Sequence, residues 1–432
     1  MPGACNFSKK KFYKSALNPN CLIHTPTPST LADCTAPKGY GRVNASHASL
    51  TFFLFSDPFL KTLHILHSEA ATGWGGQEIR VFQECQLLLE RGHRVSIVCQ
   101  PDSPLGQRCR QFSHPDLNYF PLIMKRPFSF PTLFSLIKII KSSRPDILHS
   151  HSSIDSWLIA IVGTLLGIPI IRSRHVMIPI RNHIFNRWLY AIAPSRILTS
   201  GMGIKKMVIE KAGVPTDKIT SIPAGVDFRK FDFQISGEKI REELGVSPHQ
   251  PLIGKIAVIR GWKGFDYFVN SAPLVLEKFP GARFVIVGSG PGYESIYSMI
   301  KNQGLEKSIF MLGHREDIPE IMAALDIHCV ASFAVEGTTQ VIPQAFAMKT
   351  PVVSTRMDSI PPILGNGEWG ILVEPKNPQN MANAILKLLN EPELGRSMAE
   401  KAYTFCKKEL SIDRMMDQTI AAYHDVLSNS QP

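Results

Sequence analysis

Long apolar runs are missing from this 432-residue sequence. A membrane-crossing helix needs roughly 20 consecutive apolar residues. The nearest approach is SLTFFLFSDPFL at 49–60, which Asp57 and Pro58 interrupt, so an integral membrane protein is argued against. Cysteine is sparse: eight residues with no CxxC pair give neither a disulfide framework nor a structural zinc site, and a reducing cytoplasm fits that usage. No DxD and no HExxH occurs, so the sequence indicates no divalent ion held by an aspartate pair and no zinc protease. The dinucleotide fingerprint GxGxxG is also lacking. GWGGQE at 73–78 has no glycine at its last position, and in VIVGSGPG at 285–292 the third glycine is replaced by Tyr293. With 44% hydrophobic and 19% charged residues, the composition excludes wholesale disorder, collagen and coiled coil.

What is present is a lopsided charge. The net +11 divides into +4 over residues 1–60, +10 over 61–235 and −3 over 236–432. A basic half joined to a mildly acidic one points to an anionic partner, although a solvated basic surface serves no partner at all. Residues 1–60 hold no sustained periodicity and read as a poorly ordered extension, not a signal peptide. From Lys61 onward, strand-like runs alternate with helical-length segments. TLHILH (62–67), RVSIVC (94–99), DILH (146–149), PIIRS (169–173), RILTS (196–200) and KITSIP (218–223) predict buried parallel strands. The series restarts with LIGKIAVI (252–259), ARFVIVG (282–288), SIFMLG (308–313), DIHCVAS (326–332) and PVVS (351–354). Two such series predict two doubly wound α/β domains facing a cleft, with a linker near 226–245. The expected division is 1–60 extension, 61–235 first domain, 236–411 second domain and 412–432 a helix crossing back to the first.

Four constellations carry chemistry. In GWGGQE, small residues open a helix, so Gly75 and Gly76 let a backbone approach a ligand, though a plain tight turn explains them as well. His149 and His151 close one strand, and RSRH brings Arg174 and His175 to the end of the next, where α/β sheets border their ligand crevice. Arg260 and Lys263 in IRGWKGFD sit between a strand and a helix, suited to neutralising a diphosphate. Finally, ASFAVEGTTQVIPQAFAMKTPVVS at 331–354 predicts a loop ending in Glu336 and a helix opening at Gly337, Thr338 and Thr339, with Gln344 two helical turns beyond Glu336.

In order and spacing, ILHSEAATGWGGQE, GHRVSIVC, PDILHSH, IPAGVD, Arg260 with WKG, VIVGSGP, LGHREDIPEIMAALDIHCVAS and EGTTQVIPQAFAMKTPVV resemble the family-four retaining glycosyltransferases of the GT-B fold, over residues 61 to about 430. The resemblance implies that Arg260 and Lys263 bind the nucleotide diphosphate and that Glu336 and His151 lie near the donor sugar. Gly75, Gly76, Gly337, Thr338, Thr339 and Arg315 would line the donor, while Arg174 and His175 lie on the acceptor side. The family's second signature glutamate is Gln344 here, a departure that resembles a bacterial lipopolysaccharide and surface-polysaccharide branch. An amide still bonds ribose hydroxyls but brings no charge.

The implied reaction is metal-independent and needs no cofactor. A sugar moves with retention from a nucleotide sugar to a glycan or lipid-linked acceptor, and the leaving phosphate takes the acceptor proton. The basic first domain, with KRPFSFPTLFSLIKIIKSSR at 125–144, suggests peripheral contact with the anionic inner face of the cytoplasmic membrane, although a packed crossover helix accounts for the same segment. A GT-B nucleotide-sugar epimerase and a non-catalytic nucleotide-sugar binder are the competing readings. No nucleic-acid module is recognisable in the basic half.

Overall fold

The computed structural model describes residues 61–429 apart from 182, 335–338 and 358; the expected extension at 1–60 lies outside the described residues. Seven parallel strands form the first sheet: β1 (His64–Glu69), β2 (Arg94–Cys99), β3 (Leu117–Pro121), β4 (Ile147–Ser150), β5 (Ile170–Arg174), β6 (Arg196–Thr199) and β7 (Ile219–Ser221). Their spatial order is β3-β2-β1-β4-β5-β6-β7. Six more form the second: β8 (Leu252–Ile256), β9 (Arg283–Val287), β10 (Ile309–Gly313), β11 (Ile327–Val330), β12 (Val352–Thr355) and β13 (Ile371–Val373), in the order β10-β9-β8-β11-β12-β13. Both sheets are doubly wound, as the alternating pattern requires. Strand order reverses between β1 and β4 and between β8 and β11, which opens a crevice at the carboxyl ends of those strands.

The central strands were legible because helices cover both their faces. β2, for example, buries every residue after Arg94. The sequence reading missed two edge strands, β3 and β13. β3 (LNYFP) is only half-buried and ends in proline, and β13 has three residues, so neither carries the apolar run that marks a central strand.

The chain passes twice between the sheets, and the two passages run side by side. Val226 N–H donates to Leu410 O at 2.8 Å and Ile412 N–H to Val226 O at 2.9 Å. A Cβ on Gly225 would lie 2.5 Å from Ile412 Cα, so only glycine permits this approach. Beyond it, the Ile412–Ser428 helix packs on the first sheet, burying Met415, Met416, Ile420, Tyr423 and Val426 in the core that holds Ile65, Val95 and Ile147.

Candidate active site

The first wall of the cleft grows from β1. Its sequence, HILHSE, is entirely buried although four of its six residues are polar, so each polar group must find a partner inside. Glu69, at the carboxyl end, accepts from Ala71 N–H at 2.7 Å and from Gln77 Nε2 at 2.6 Å, which ties down both ends of the loop before the Gly76–Glu90 helix. Burial, reinforced by the neighbouring Asp155, pushes its carboxyl up to about 8. Asp155 accepts from Ser68 Oγ at 3.0 Å and from the backbone of His151 at 2.9 Å, locking β1 to the turn after β4. Gly75 caps the Gly76–Glu90 helix, its N–H donating to Glu78 Oε2 at 2.8 Å.

The histidines do not stand singly. His149 bonds Tyr423 Oη through Nδ1 and Ser173 Oγ through Nε2, both at 2.8 Å, and is a core residue facing the crossover helix. His151 is also buried: its Nε2 meets His67 Nδ1 at 2.9 Å and its Nδ1 meets His175 Nε2 at 3.4 Å. The predicted acceptor-side His175 thus stands next to the predicted donor-side His151. Arg174 is held by Tyr190 Oη and the carbonyl of Ile178.

The second wall is the turn after β8. Arg260 is exposed with its guanidinium 5.3 Å from the Trp262 ring, and Lys263, partly buried, ends the short Gly261–Lys263 helix. Gly264 follows at φ +64, where a Cβ would lie 2.0 Å from the carbonyl oxygen of Ala331 at the end of β11. This turn is therefore pressed onto the strand that leads into the EGTTQ segment.

Glu336, Gly337 and Thr338 lie outside the described residues. Thr339 is buried, and the helix that follows spans Val341–Ala347 with Gln340 as its cap. Thr339 itself precedes this helix, and the rest of the expected opening, Gly337 and Thr338, lies outside the described residues. Pro343 falls in the first turn of the helix, where the missing N–H costs nothing. Gln344 is partly exposed on this helix, and its expected two-turn offset from Glu336 falls on residues outside the described ones. Arg315 bonds Glu243 at 2.6 Å and Asp317 at 2.8 Å, which commits its guanidinium to carboxylates. One contact that sequence reasoning did not foresee spans the walls: Gln340 Nε2 donates to Gly76 O at 3.1 Å.

Two family models match the chain in succession, "Glycosyltransferase Family 4" at residues 74–230 and "Glycosyl transferases group 1" at 236–405, together more than half of it. This chain belongs to the family-four glycosyltransferases. Among the relatives of this glycosyltransferase are the N-acetyl-alpha-D-glucosaminyl L-malate synthase of Bacillus anthracis, 22% identical over 80% of the chain and 92% of the relative, and the UDP-Gal:alpha-D-GlcNAc-diphosphoundecaprenol alpha-1,3-galactosyltransferase of Escherichia coli, 25% identical over 85% and 98%. A solved glycosyltransferase from Rickettsia africae shares the fold at a TM-score of 0.78 and 21% identity, covering 86% of this chain and all of that one.

The sequence reading of this glycosyltransferase missed His67, Glu69, Glu84 and Asp155. The available signal was the run of polar residues inside HILHSE, since charged or imidazole groups in a strand buried on both faces need partners. Among the described residues, His67, Glu84, His149 and His151 each bring a nitrogen or oxygen within 4.8 Å of the others, the one grouping of metal-ligand type. Both His149 nitrogens are engaged by Tyr423 and Ser173, and a proton must lie between His67 and His151, so the group is a hydrogen-bonded network.

Proposed function

We propose that this glycosyltransferase moves a sugar from a uridine-diphosphate donor, with retention of anomeric configuration, to a lipid-linked glycan in the synthesis of surface polysaccharide or lipopolysaccharide. The observation that carries the reading is the pair Arg260 and Lys263 on the turn that Gly264 presses against β11. Two cations there meet the charge that builds on a departing diphosphate, which removes the need for a metal ion. Each such contact contributes on the order of 3 kcal/mol, about a hundredfold in rate. Glu336, Thr339 and Gln344 supply acceptors and donors for sugar and ribose hydroxyls, and the Gln340–Gly76 bond holds the donor helix against the glycine loop. The uridine donor and the lipid diphosphate acceptor are taken from the E. coli relative's name.

The acceptor side is supported by a surface. Phe130 is 84% exposed, Phe128 and Phe134 are also exposed, and Lys138 Nζ sits 4.5 Å over the Phe134 ring. The Phe130–Ser143 helix buries Thr132, Leu136 and Ile140 against the first domain while turning Phe130 and Phe134 outward. Rings beside lysines suit the inner face of an anionic membrane, where a lipid-linked acceptor resides. No helix among the described residues is long and apolar enough to cross a membrane.

Thermal stabilisation against UDP, GDP, ADP, CMP and their sugars, without added metal, tests the donor assignment. UDP or a UDP-sugar should raise Tm, and Lys263→Ala should weaken the effect. Preference for another base, or wild-type turnover in Lys263→Ala, overturns it.

A further inference from the structure

Two hydrogen bonds cross the cleft from wall to wall, and both follow one plan. Gln340 Nε2 donates to Gly76 O at 3.1 Å, and Gly203 N–H donates to Ser359 Oγ at 3.1 Å. In the second domain, Gln340 precedes the Val341–Ala347 helix after β11, and Ser359 precedes the Ile360–Ile363 helix after β12. In the first, Gly76 opens the Gly76–Glu90 helix after β1, and Gly203 lies in the first turn of the Met202–Ala212 helix after β6. Each side chain reaches from the cap of one helix to the backbone in the first turn of another.

The order of the sheets fixes what lies between these bonds. β4 and β5 separate β1 from β6, so the anchoring strands of the first wall are three inter-strand spacings apart, roughly 14 Å. His151, Arg174 and His175 stand at the carboxyl ends of the two intervening strands. On the second wall, β11 and β12 are neighbours. The bonds therefore straddle that group of residues like two posts.

Gly203 gives the second bond its weight. The N–H groups in the first turn of a helix have no partner within it. In the Met202–Ala212 helix, Lys205 N–H bonds Gly201 O at 3.1 Å, and among the described residues the partner of Gly203 N–H is Ser359 across the cleft. Ser359 is 3% exposed, which shields the bond from water. The chain itself joins the walls through the paired passages at Val226 and Ile412, a two-stranded connection narrow enough to turn about. A single bond across the cleft would leave rotation about itself. Two bonds set well apart fix the angle as well as the separation.

We propose that Gln340 and Ser359 are positioning residues that form one two-point latch, setting the width and angle of the cleft over the ends of β4 and β5. Its consequence for catalysis rests on the function proposed above. The donor's anomeric carbon is held from the second wall and the acceptor hydroxyl is presented from the first, so transfer requires the walls at one separation. Breaking either bond lets the walls turn about the other, and loss of one releases both.

Hydrogen exchange at the Gly203 amide tests the latch in the full chain with no substrate added, so a wrong donor or acceptor leaves the result standing. In the wild type this amide should exchange at least about tenfold slower than an unstructured one. Ser359→Ala removes its acceptor and should release it fully. Gln340→Glu keeps the size of the side chain, but a carboxylate cannot donate to Gly76 O. Residue 340 bonds the other post, yet this variant should speed Gly203 exchange by about fivefold. A Gly203 amide unprotected in the wild type overturns the latch, and so does one that keeps its protection in Gln340→Glu, since the two contacts would then be independent. Should Ser359→Ala fail to fold, Gln340→Glu decides alone. The positioning role is read separately, with the donor found by thermal shift. Ser359→Ala should lower kcat about tenfold while nucleotide stabilisation persists, because Arg260 and Lys263 lie together on one wall. An unchanged kcat, or stabilisation lost in parallel with kcat, overturns that role.

Discussion

Glu69 shows how one residue sets a pH response. The folded chain keeps its proton up to about pH 8, while an unfolded chain releases it near 4.5. Between those values the folded state binds more protons, so stability falls as pH rises through that window. Asp155 and Glu84, also raised by burial, act with the same sign. The buried histidines act oppositely: His67 and His328, lowered to about 3 from 6.5, stay neutral in the fold and cost stability as pH falls below 6.5. Thermal denaturation across pH 4 to 9 should therefore peak in the near-neutral range, and Glu69→Gln should flatten the alkaline limb by an amount on the order of a few kcal/mol. An unchanged limb would mean that Glu69 is ionised in the fold. Arg260 and Lys263 could be placed from the sequence as two cations in a strand-to-helix turn, and the structure has them there. Glu69 could not, because its character comes from burial in the packed sheet and, after that, from Asp155, 86 positions away in the chain.

At the scale of elements, two short segments carry the site. The turn at Gly261–Gly264 lies against β11, and Gly264→Ala would combine an unfavourable positive φ with a Cβ 2.0 Å from a carbonyl oxygen. The expected loss is on the order of 3 kcal/mol in denaturant unfolding, with weaker nucleotide stabilisation because the turn bearing Arg260 and Lys263 must shift. The Phe130–Ser143 helix carries the second prediction. Replacing Phe130 and Phe134 by serine should abolish flotation with vesicles containing anionic phospholipid and leave Tm within a degree or two, because both rings face outward. Flotation that ignores both the substitutions and the lipid charge would remove the membrane assignment. The mixture of cations and apolar residues in this segment was visible in the sequence. That Phe130 stays exposed while Leu136 and Ile140 go inward was not, since both kinds of residue are apolar and only the packed neighbours distinguish them. The Val341–Ala347 helix carries Pro343 in its first turn, a placement legible in the sequence because the N–H groups of that turn need no helical partner.

For the whole molecule, the Ile412–Ser428 helix binds the end of the chain to the domain where it began. Tyr423 Oη meets His149 Nδ1 at 2.8 Å in a fully buried position. Tyr423→Phe leaves that nitrogen unpartnered and should cost about 1–3 kcal/mol in urea unfolding. Deleting 412–428 would uncover the first-domain core that holds Ile65, Val95 and Ile147 and should yield aggregating protein. The sequence by itself determined the two β/α series, their parallel central strands, the cleft that such sheets open and the cations at one wall, because strand burial and turn chemistry are written in neighbouring residues. Tertiary structure alone decided which polar groups meet: His67 with His151, Glu69 with Asp155, Gln340 with Gly76 and Tyr423 with His149. Each of these pairs joins residues at least 84 positions apart, and a hydrogen bond depends on the distance between atoms in space, which chain order leaves open until the sheets and helices pack.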